Sequence, residues 1–191
     1  MADTECRPLE VTVISARDLE DVRDHLPMHP YVVVSLCGDQ RYKKKQRTPV
    51  HEDGGTSPRW DHALADPFTV DVAAASAGHL NLKLKIKTRR TVKNNKDVGW
   101  VDVPVGELLE EGDDGEPRAT SYAVSLPSGG TRGFLEFSYK FGEAFTVRGA
   151  APDQRSENQR QPRPDRFRDC FRGAIVGGSI WGAMSNADGD G

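Results

Sequence analysis

Alternation of apolar and polar residues is the dominant pattern along most of this chain. It is most regular at residues 80–87, where Leu80, Leu82, Leu84 and Ile86 alternate with polar residues. Because successive side chains of a β-strand point to opposite faces, this pattern predicts a strand with a core face and an outer face. The predicted outer face consists of one asparagine and three lysines: Asn81, Lys83, Lys85 and Lys87.

Similar short stretches recur along the chain, with turn-forming residues between them. Clusters of Gly, Pro, Ser, Asp and Asn predict turns at residues 37–40, 54–58 and 127–130. Residues 105–109 predict at most a single helical turn, and no stretch predicts a long helix. We therefore predict an all-β fold, an eight-stranded antiparallel β-sandwich. Nine stretches are the candidates for these strands, and two of them, 59–62 and 67–70, lie around one bend; the others are residues 9–15, 31–36, 41–48, 80–87, 99–103, 121–126 and 133–141.

Cationic residues are concentrated on two of these strands and in one loop. One face of the strand at 41–48 is predicted to collect Arg41, Lys43, Lys45 and Arg47. The net charge of the chain is only −3, so local fields and not the total charge are expected to select its partners. A solvated strand face of no special function would show the same pattern. The loop after residue 87 continues the cationic stretch with Arg89, Arg90, Lys93 and Lys96.

The cysteines and the N-terminus indicate an intracellular protein. Three scattered cysteines do not make up a disulfide framework, so free thiols in a reducing compartment are expected. The first residues lack the basic and apolar regions of a signal peptide. No apolar run reaches the roughly 20 residues that span a bilayer. These features predict a cytoplasmic location.

The composition changes near residue 143. Residues 1–143 are predicted to form the folded domain, and residues 144–165 a disordered linker, because the linker has almost no large apolar residues to bury. Residues 166–191 form a basic, apolar and glycine-rich tail that resembles an interfacial anchor for a membrane or a partner. A merely disordered tail remains the alternative, and Cys170 is a candidate for palmitoylation. The predicted anchor residues are Arg166, Arg168, Phe171, Arg172, Ile175, Ile180 and Trp181.

Five stretches occur in a characteristic order along residues 7–143: residues 9–19, 30–34, 57–61, 96–99 and 135–141. With these stretches in this order, the chain resembles a C2 domain. The closest resemblance is to small plant single-C2 proteins, the cold-regulated C2 proteins and the bonzai-association proteins. It implies a type II strand order and a non-enzymatic protein. It also implies roles in plant defence, cell-death control or cold response.

C2 domains commonly bind Ca²⁺ through five carboxylates in the loops at one end of the sandwich, as the oxygen-rich coordination of this ion requires. None of the matching positions is acidic here, and three are cationic. We therefore expect no Ca²⁺ site, no other metal and no cofactor. Asp21, Asp24 and Asp97 lie nearby in the sequence and leave one weak site as an alternative. The five matching positions are Arg23, His29, Thr88, Arg90 and Lys96.

Together these patterns predict Ca²⁺-independent binding to anionic phospholipid membranes. In C2 domains generally, the strands that match residues 41–48 and 80–87 lie next to each other, which would join their basic faces. The predicted location is the inner face of the plasma membrane or the endomembranes. The alternative is a membrane-associated adaptor with a protein partner, and neither nucleic-acid binding nor catalysis is expected. The predicted lipid-binding residues are Arg41, Lys43, Lys45, Arg47, Lys83, Lys85, Lys87, Arg89, Arg90, Lys93 and Lys96.

Overall fold

The computed structural model describes residues 3–23, 26–38, 44–91, 94–112 and 115–148. These residues form ten β-strands and two short helices, which confirms the predicted all-β class. The strands are β1 (Asp3–Arg17), β2 (Pro30–Cys37), β3 (Lys45–Arg47), β4 (Arg59–Ala63), β5 (Phe68–Asp71), β6 (Asn81–Thr88), β7 (Lys96–Pro104), β8 (Arg118–Ser125), β9 (Thr131–Phe141) and β10 (Phe145–Arg148). The helices are α1 (Val72–Ser76) and α2 (Val105–Glu111).

The strands form one antiparallel sheet that curls around a single core. Their order is β10-β1-β9-β8-β7-β6-β2-β3, and β4 and β5 pair with β1. Strands β7 and β8 are joined at one residue pair, Trp100 with Ser125. A Cβ atom at Gly99 would lie 2.6 Å from the Ser125 carbonyl oxygen, so the backbones approach each other more closely there than a side chain would allow. The narrow junction separates a first half, β3-β2-β6-β7, from a second half that contains β8, β9 and β1.

The alternating positions of the sequence form the core, as predicted. Leu80, Leu82, Leu84 and Ile86 are fully buried. They belong to one apolar cluster with residues from β1, β2, β7 and β9, which include the aromatic side chain of Phe137. Because burial of each such side chain stabilises the fold by about 1.5–3 kcal/mol, this cluster provides the main driving force for folding.

Strand β2 lies between β3 and β6, so the expected neighbour relation between the two basic strands is wrong. One edge of β2 pairs with β3 from Val33 to Ser35. Its other edge pairs with β6 along the whole length of both strands. The reason is that β3 follows β2 along the chain and returns beside it, which leaves the opposite edge of β2 for β6. The basic strands therefore share a face but are separated by one strand.

The structure also differs from the predicted element bounds. Strand β3 is short, and residues 41–43 of the predicted third strand lie outside the described residues. Helix α1 was not predicted, although the Asp71 side chain caps it by accepting a hydrogen bond from Ala74 N at 2.9 Å. Strand β10 was not predicted either, and it pairs with the start of β1 beyond the predicted boundary at residue 143. The predicted linker after residue 148 lies outside the described part of the chain.

Candidate functional site

The cationic strand residues lie on the outer surface of the first half of the sheet. Paired residues of neighbouring strands share a face, and the pairing aligns Lys45 of β3 with Ser35 of β2 and Lys83 of β6. In the same way Arg47 lies in line with Lys85 across β2. We call this surface the basic face. Its cations are Lys45, Arg47, Lys83, Lys85 and Lys87.

The two columns of cations on the basic face are separated by a neutral strand. Strand β2 contributes Tyr31, Val33 and Ser35 to this surface, and none of them is charged. With strands about 4.8 Å apart, the β3 and β6 columns lie roughly 10 Å from each other. Long flexible side chains can span such a gap, so one anionic surface can contact both columns.

Asp97 on β7 neutralises part of the basic face. Its carboxylate oxygens lie 2.9 Å from Lys85 Nζ and 3.3 Å from Lys87 Nζ. Partial burial opposes ionisation, but the hydrogen bonds and charges of these two lysines outweigh it and lower the pKa of Asp97. Asp97 is therefore ionised at neutral pH and holds both lysine side chains near the start of β7.

Lys83 is buried, which corrects the prediction that it faces solvent. Only 7% of its side chain is exposed, and its Nζ atom lies 5.7 Å from the centre of the Trp100 ring. Nζ also lies 3.9 Å from Asp102 Oδ2, while Asp102 Oδ1 is buried without a hydrogen-bond partner among the described residues. Burial raises the pKa of Asp102, and the charge of Lys83 offsets this in part. The position is on the outer face, but neighbouring strand β7 covers the lysine.

The two β3 cations of the basic face are accessible, whereas Lys85 and Lys87 are partly buried beside Asp97. Lys45 and Arg47 are exposed, and neither forms an ion pair with a described residue. Five cations against the two carboxylates of Asp97 and Asp102 leave this face a net charge of about +3 when both acids are ionised. The cationic character predicted from the sequence is therefore retained, but reduced by two charges.

Three loops meet at the end of the sheet next to Lys87. We call residues 18–29 the first loop, 48–58 the second loop and 89–95 the third loop. Pro30 pairs with Thr88, and Thr88 pairs with Lys96, so the first and third loops begin at the same edge. His51 N donates to Pro30 O at 2.9 Å, and this hydrogen bond places the second loop at the same edge of the sheet. We call this edge the loop end.

The residues at the five expected Ca²⁺-ligand positions come together at the loop end. Lys96 Nζ donates to Val22 O at 2.8 Å, and Arg23 Nη1 donates to Arg89 O at 3.1 Å. His29 N donates to Thr88 Oγ1 at 3.0 Å. The fifth position, Arg90, lies in the third loop, where its backbone N–H donates to Asn95 Oδ1 at 3.1 Å.

This arrangement does not fit a Ca²⁺ ion. The ion requires six to eight oxygen ligands and favours carboxylates, whereas two cationic side chains point at the carbonyl oxygens here. Asp21 accepts a hydrogen bond from Arg23 N at 2.9 Å, and Asp97 is engaged with two lysines. Within the described ranges, no three or more His, Cys, Asp or Glu residues are grouped to hold a metal ion. Asp24 lies outside those ranges.

Leu26 is a candidate contact residue that the sequence analysis missed. With 58% of its surface exposed, it is the most exposed large hydrophobic residue in the described part of the chain. It lies in the first loop between Arg23 and the buried Met28. The sequence shows only a single leucine in a polar loop, and exposed leucines are common in proteins. Such a residue indicates a contact site only when its position in the folded structure is known. The location at the loop end makes this one relevant.

Several predicted site residues lie outside the described residues. These are Arg41, Lys43 and Lys93, together with the linker from residue 149 and the whole tail anchor around Trp181. Of the three cysteines, Cys6 and Cys37 are described, and both are buried and form no disulfide with a described residue. No helix formed by the described residues has the length and apolar composition needed to cross a membrane.

Comparison with known proteins provides independent evidence about this fold. Residues 7–122 match the C2 domain family. The chain is 46% identical over 142 residues to the Protein SRC2 homolog of Arabidopsis thaliana, across 74% of this chain and 43% of that protein. It is 36% identical over 159 residues to Protein SRC2 of Glycine max, across 83% of this chain and 54% of that protein. The chain thus spans about half the length of the curated relatives it matches.

Solved structures show the same fold. The C2A domain of plant Extended Synaptotagmin 1 aligns with a TM-score of 0.54 at 19% identity, across 74% of this chain and 96% of that one. The structure of a C2 domain-containing protein aligns with a TM-score of 0.52 at 25% identity, across 81% of this chain and 97% of that one.

Proposed function

Because this chain belongs to the C2 domain family, we propose that it is a non-enzymatic module that binds anionic phospholipid membranes without Ca²⁺. The basic face and the loop end form the contact surface. The observation that supports this most directly is the continuity of the two: Lys87, on the last row of the face, lies one residue from Thr88, where the third loop begins. One flat anionic surface can therefore contact both.

The charge of the contact surface is large enough for useful affinity. A basic residue near an anionic leaflet contributes about 1 kcal/mol, and the attraction decays over a Debye length of about 8 Å at physiological salt. A net charge of about +3 on the basic face, extended by Arg90 in the third loop, would then contribute about 3–4 kcal/mol at low salt, while Arg89 adds less because Glu52 neutralises it. This energy supports reversible attachment.

An exposed apolar residue at the same edge adds a second kind of contact. Leu26 in the first loop can enter the headgroup region when the cations of the loop end meet the phosphates. The glycine-rich tail with Trp181 is proposed as a further anchor, with Cys170 as its acylation position. In this proposal the protein is peripheral and attaches to anionic cytoplasmic leaflets.

Sedimentation with vesicles tests the proposal. Vesicles of phosphatidylcholine with 30% phosphatidylserine should bind the protein in EGTA, and vesicles of phosphatidylcholine alone should not. Added Ca²⁺ should leave the bound fraction unchanged, and increasing salt should lower it. Binding that requires Ca²⁺, or that does not depend on anionic lipid, would contradict the proposed mechanism.

The second candidate function is a membrane-associated adaptor in plant defence, cell-death or cold-stress signalling. Three large hydrophobic residues are exposed in the second half of the sheet and along β10, away from the basic face: Phe134, Phe145 and Val147. Because these residues lie away from the proposed membrane contact surface, they would be available to a protein partner. A chain that fails to sediment with anionic vesicles, yet is recruited to membranes in cells, would favour this function.

A further inference from the structure

Cationic side chains join residues 22 and 23 of the first loop to the third loop and to the start of β7. Near the strands these loops are connected by backbone groups, where Arg89 N donates to His29 O at 3.0 Å. At residues 22 and 23 the described contacts involve side chains instead. Lys96 Nζ donates to Val22 O, and the Arg23 guanidinium donates to Arg89 O. Both acceptors are backbone carbonyl oxygens.

The second loop is connected to the others through one carboxylate. Arg89 Nη2 lies 2.7 Å from each carboxylate oxygen of Glu52. His29 of the first loop contacts the same residue, with Nδ1 bonded to Glu52 O and 3.4 Å from Glu52 Oε2. The three loops thus form one network of cations and oxygen acceptors.

Carbonyl and carboxylate oxygens around a cation are also the ligands that Ca²⁺ uses. Here the positive charges belong to the chain itself, and two of them, Arg23 and Lys96, occupy positions where the C2 resemblance implies carboxylates. We infer that Arg23, Arg89 and Lys96 act as built-in cations that hold the three loops together, so that the loop end is formed without a bound ion. This inference deepens the proposed function, and its consequence for membrane binding rests on that function.

A cation at the loop end can act in two ways, by attracting lipid phosphates or by holding two segments of the chain together. A cation that only attracts phosphates can be replaced by another cation anywhere on the same surface. A cation that connects two loops must be at its own position and must retain its donor group. Because intramolecular contacts need no ion from solution, the loop end is pre-organised at any Ca²⁺ concentration.

Hydrogen exchange of the unliganded full-length chain tests the positioning role. Lys96→Gln removes one charge and replaces the ammonium donor to Val22 by a shorter, neutral amide, so we expect exchange at residues 19–23 to become at least about tenfold faster. Arg90→Gln is the matched control, since it removes one charge from the same loop end and its guanidinium forms no hydrogen bond or ion pair with a described residue. We expect exchange at residues 19–23 to be unchanged in this control.

A conservative variant and a separate vesicle-sedimentation measurement complete the experiment. Lys96→Arg retains a donor and should keep exchange in the first loop close to that of the unmodified chain. Equal exchange in the Lys96→Gln and Arg90→Gln variants would overturn the inference, as would loop protection in the unmodified chain that appears only with added Ca²⁺. Absence of sedimentation with anionic vesicles would overturn the proposed function alone, because the exchange measurement uses no lipid.

Discussion

Removing the two accessible cations of β3 is the most direct test of the basic face. The change is the double substitution Lys45→Gln and Arg47→Gln. Both side chains are exposed, and neither forms an ion pair with a described residue. Substitution therefore leaves no buried charge without a partner. A set that included Lys83 would be less informative, because this buried lysine lies beside Asp102 and its loss would also disturb the fold.

The expected effect follows from the charge of the face. The double substitution lowers the net charge of the basic face from about +3 to about +1. At about 1 kcal/mol for each cation, the loss of binding free energy at low salt is about 2 kcal/mol. Since 1.4 kcal/mol is a factor of ten, vesicle affinity should fall about 25-fold. Near physiological salt the loss should be smaller, because screening weakens the attraction.

The assay is sedimentation with phosphatidylserine-containing vesicles at several salt concentrations in EGTA. The matched control is Lys140→Gln with Arg148→Gln, which removes the same charge from exposed positions on β9 and β10. Its affinity should fall much less, and both variants should unfold at the same denaturant concentration as the unmodified chain. An equal loss in both pairs would show that total charge and not the basic face determines binding, and this would refute the reasoning.

Four further predictions concern single groups and the domain boundary. Asp97→Asn should strengthen vesicle binding, because the face gains one positive charge, and should lower the free energy of unfolding at pH 7 by less than about 1 kcal/mol. Because the pKa of Asp97 is lowered below 3.8, this stability difference should disappear as the pH falls through the folded-state pKa. Denaturant titrations that show no stability difference at pH 7 would contradict the ion pair. Because the pKa of Asp102 is raised, its protonation on acidification should strengthen vesicle binding and remove an unfavourable contribution to the free energy of folding. An Asp102→Asn variant whose vesicle binding depends on pH in the same way as that of the unmodified chain would contradict this assignment. Leu26→Ala should weaken vesicle binding by about 1 kcal/mol without changing the melting temperature, and unchanged sedimentation would exclude insertion of the first loop. A chain that ends at residue 143 should unfold at a lower denaturant concentration than one that ends at 148, because only the longer chain retains β10, and equal midpoints would restore the boundary predicted from the sequence.

The elements with regular alternation could be predicted from sequence alone. The faces of β6 were assigned correctly because a strand's side chains alternate whatever the strand packs against, and Leu80, Leu82, Leu84 and Ile86 are all buried. The absence of acidic residues at the expected ligand positions was also a property of the sequence. Helix α1, by contrast, is a five-residue element whose N-cap, Asp71, is weak evidence outside its context.

The accessibility and pairing of the charged residues depend on the tertiary structure. Lys83 has the same place in the alternating pattern as Lys85, yet Trp100 and Asp102 of β7 cover it and reduce the exposure of its side chain to 7%. The connections from Lys96 to Val22 and from Arg23 to Arg89 join residues far apart in the chain. The alternation of apolar and polar residues and the local composition can be read directly from a sequence. Burial and ion pairing depend on which strands and loops become neighbours, and here the order β3-β2-β6-β7 and the meeting of three loops decided them.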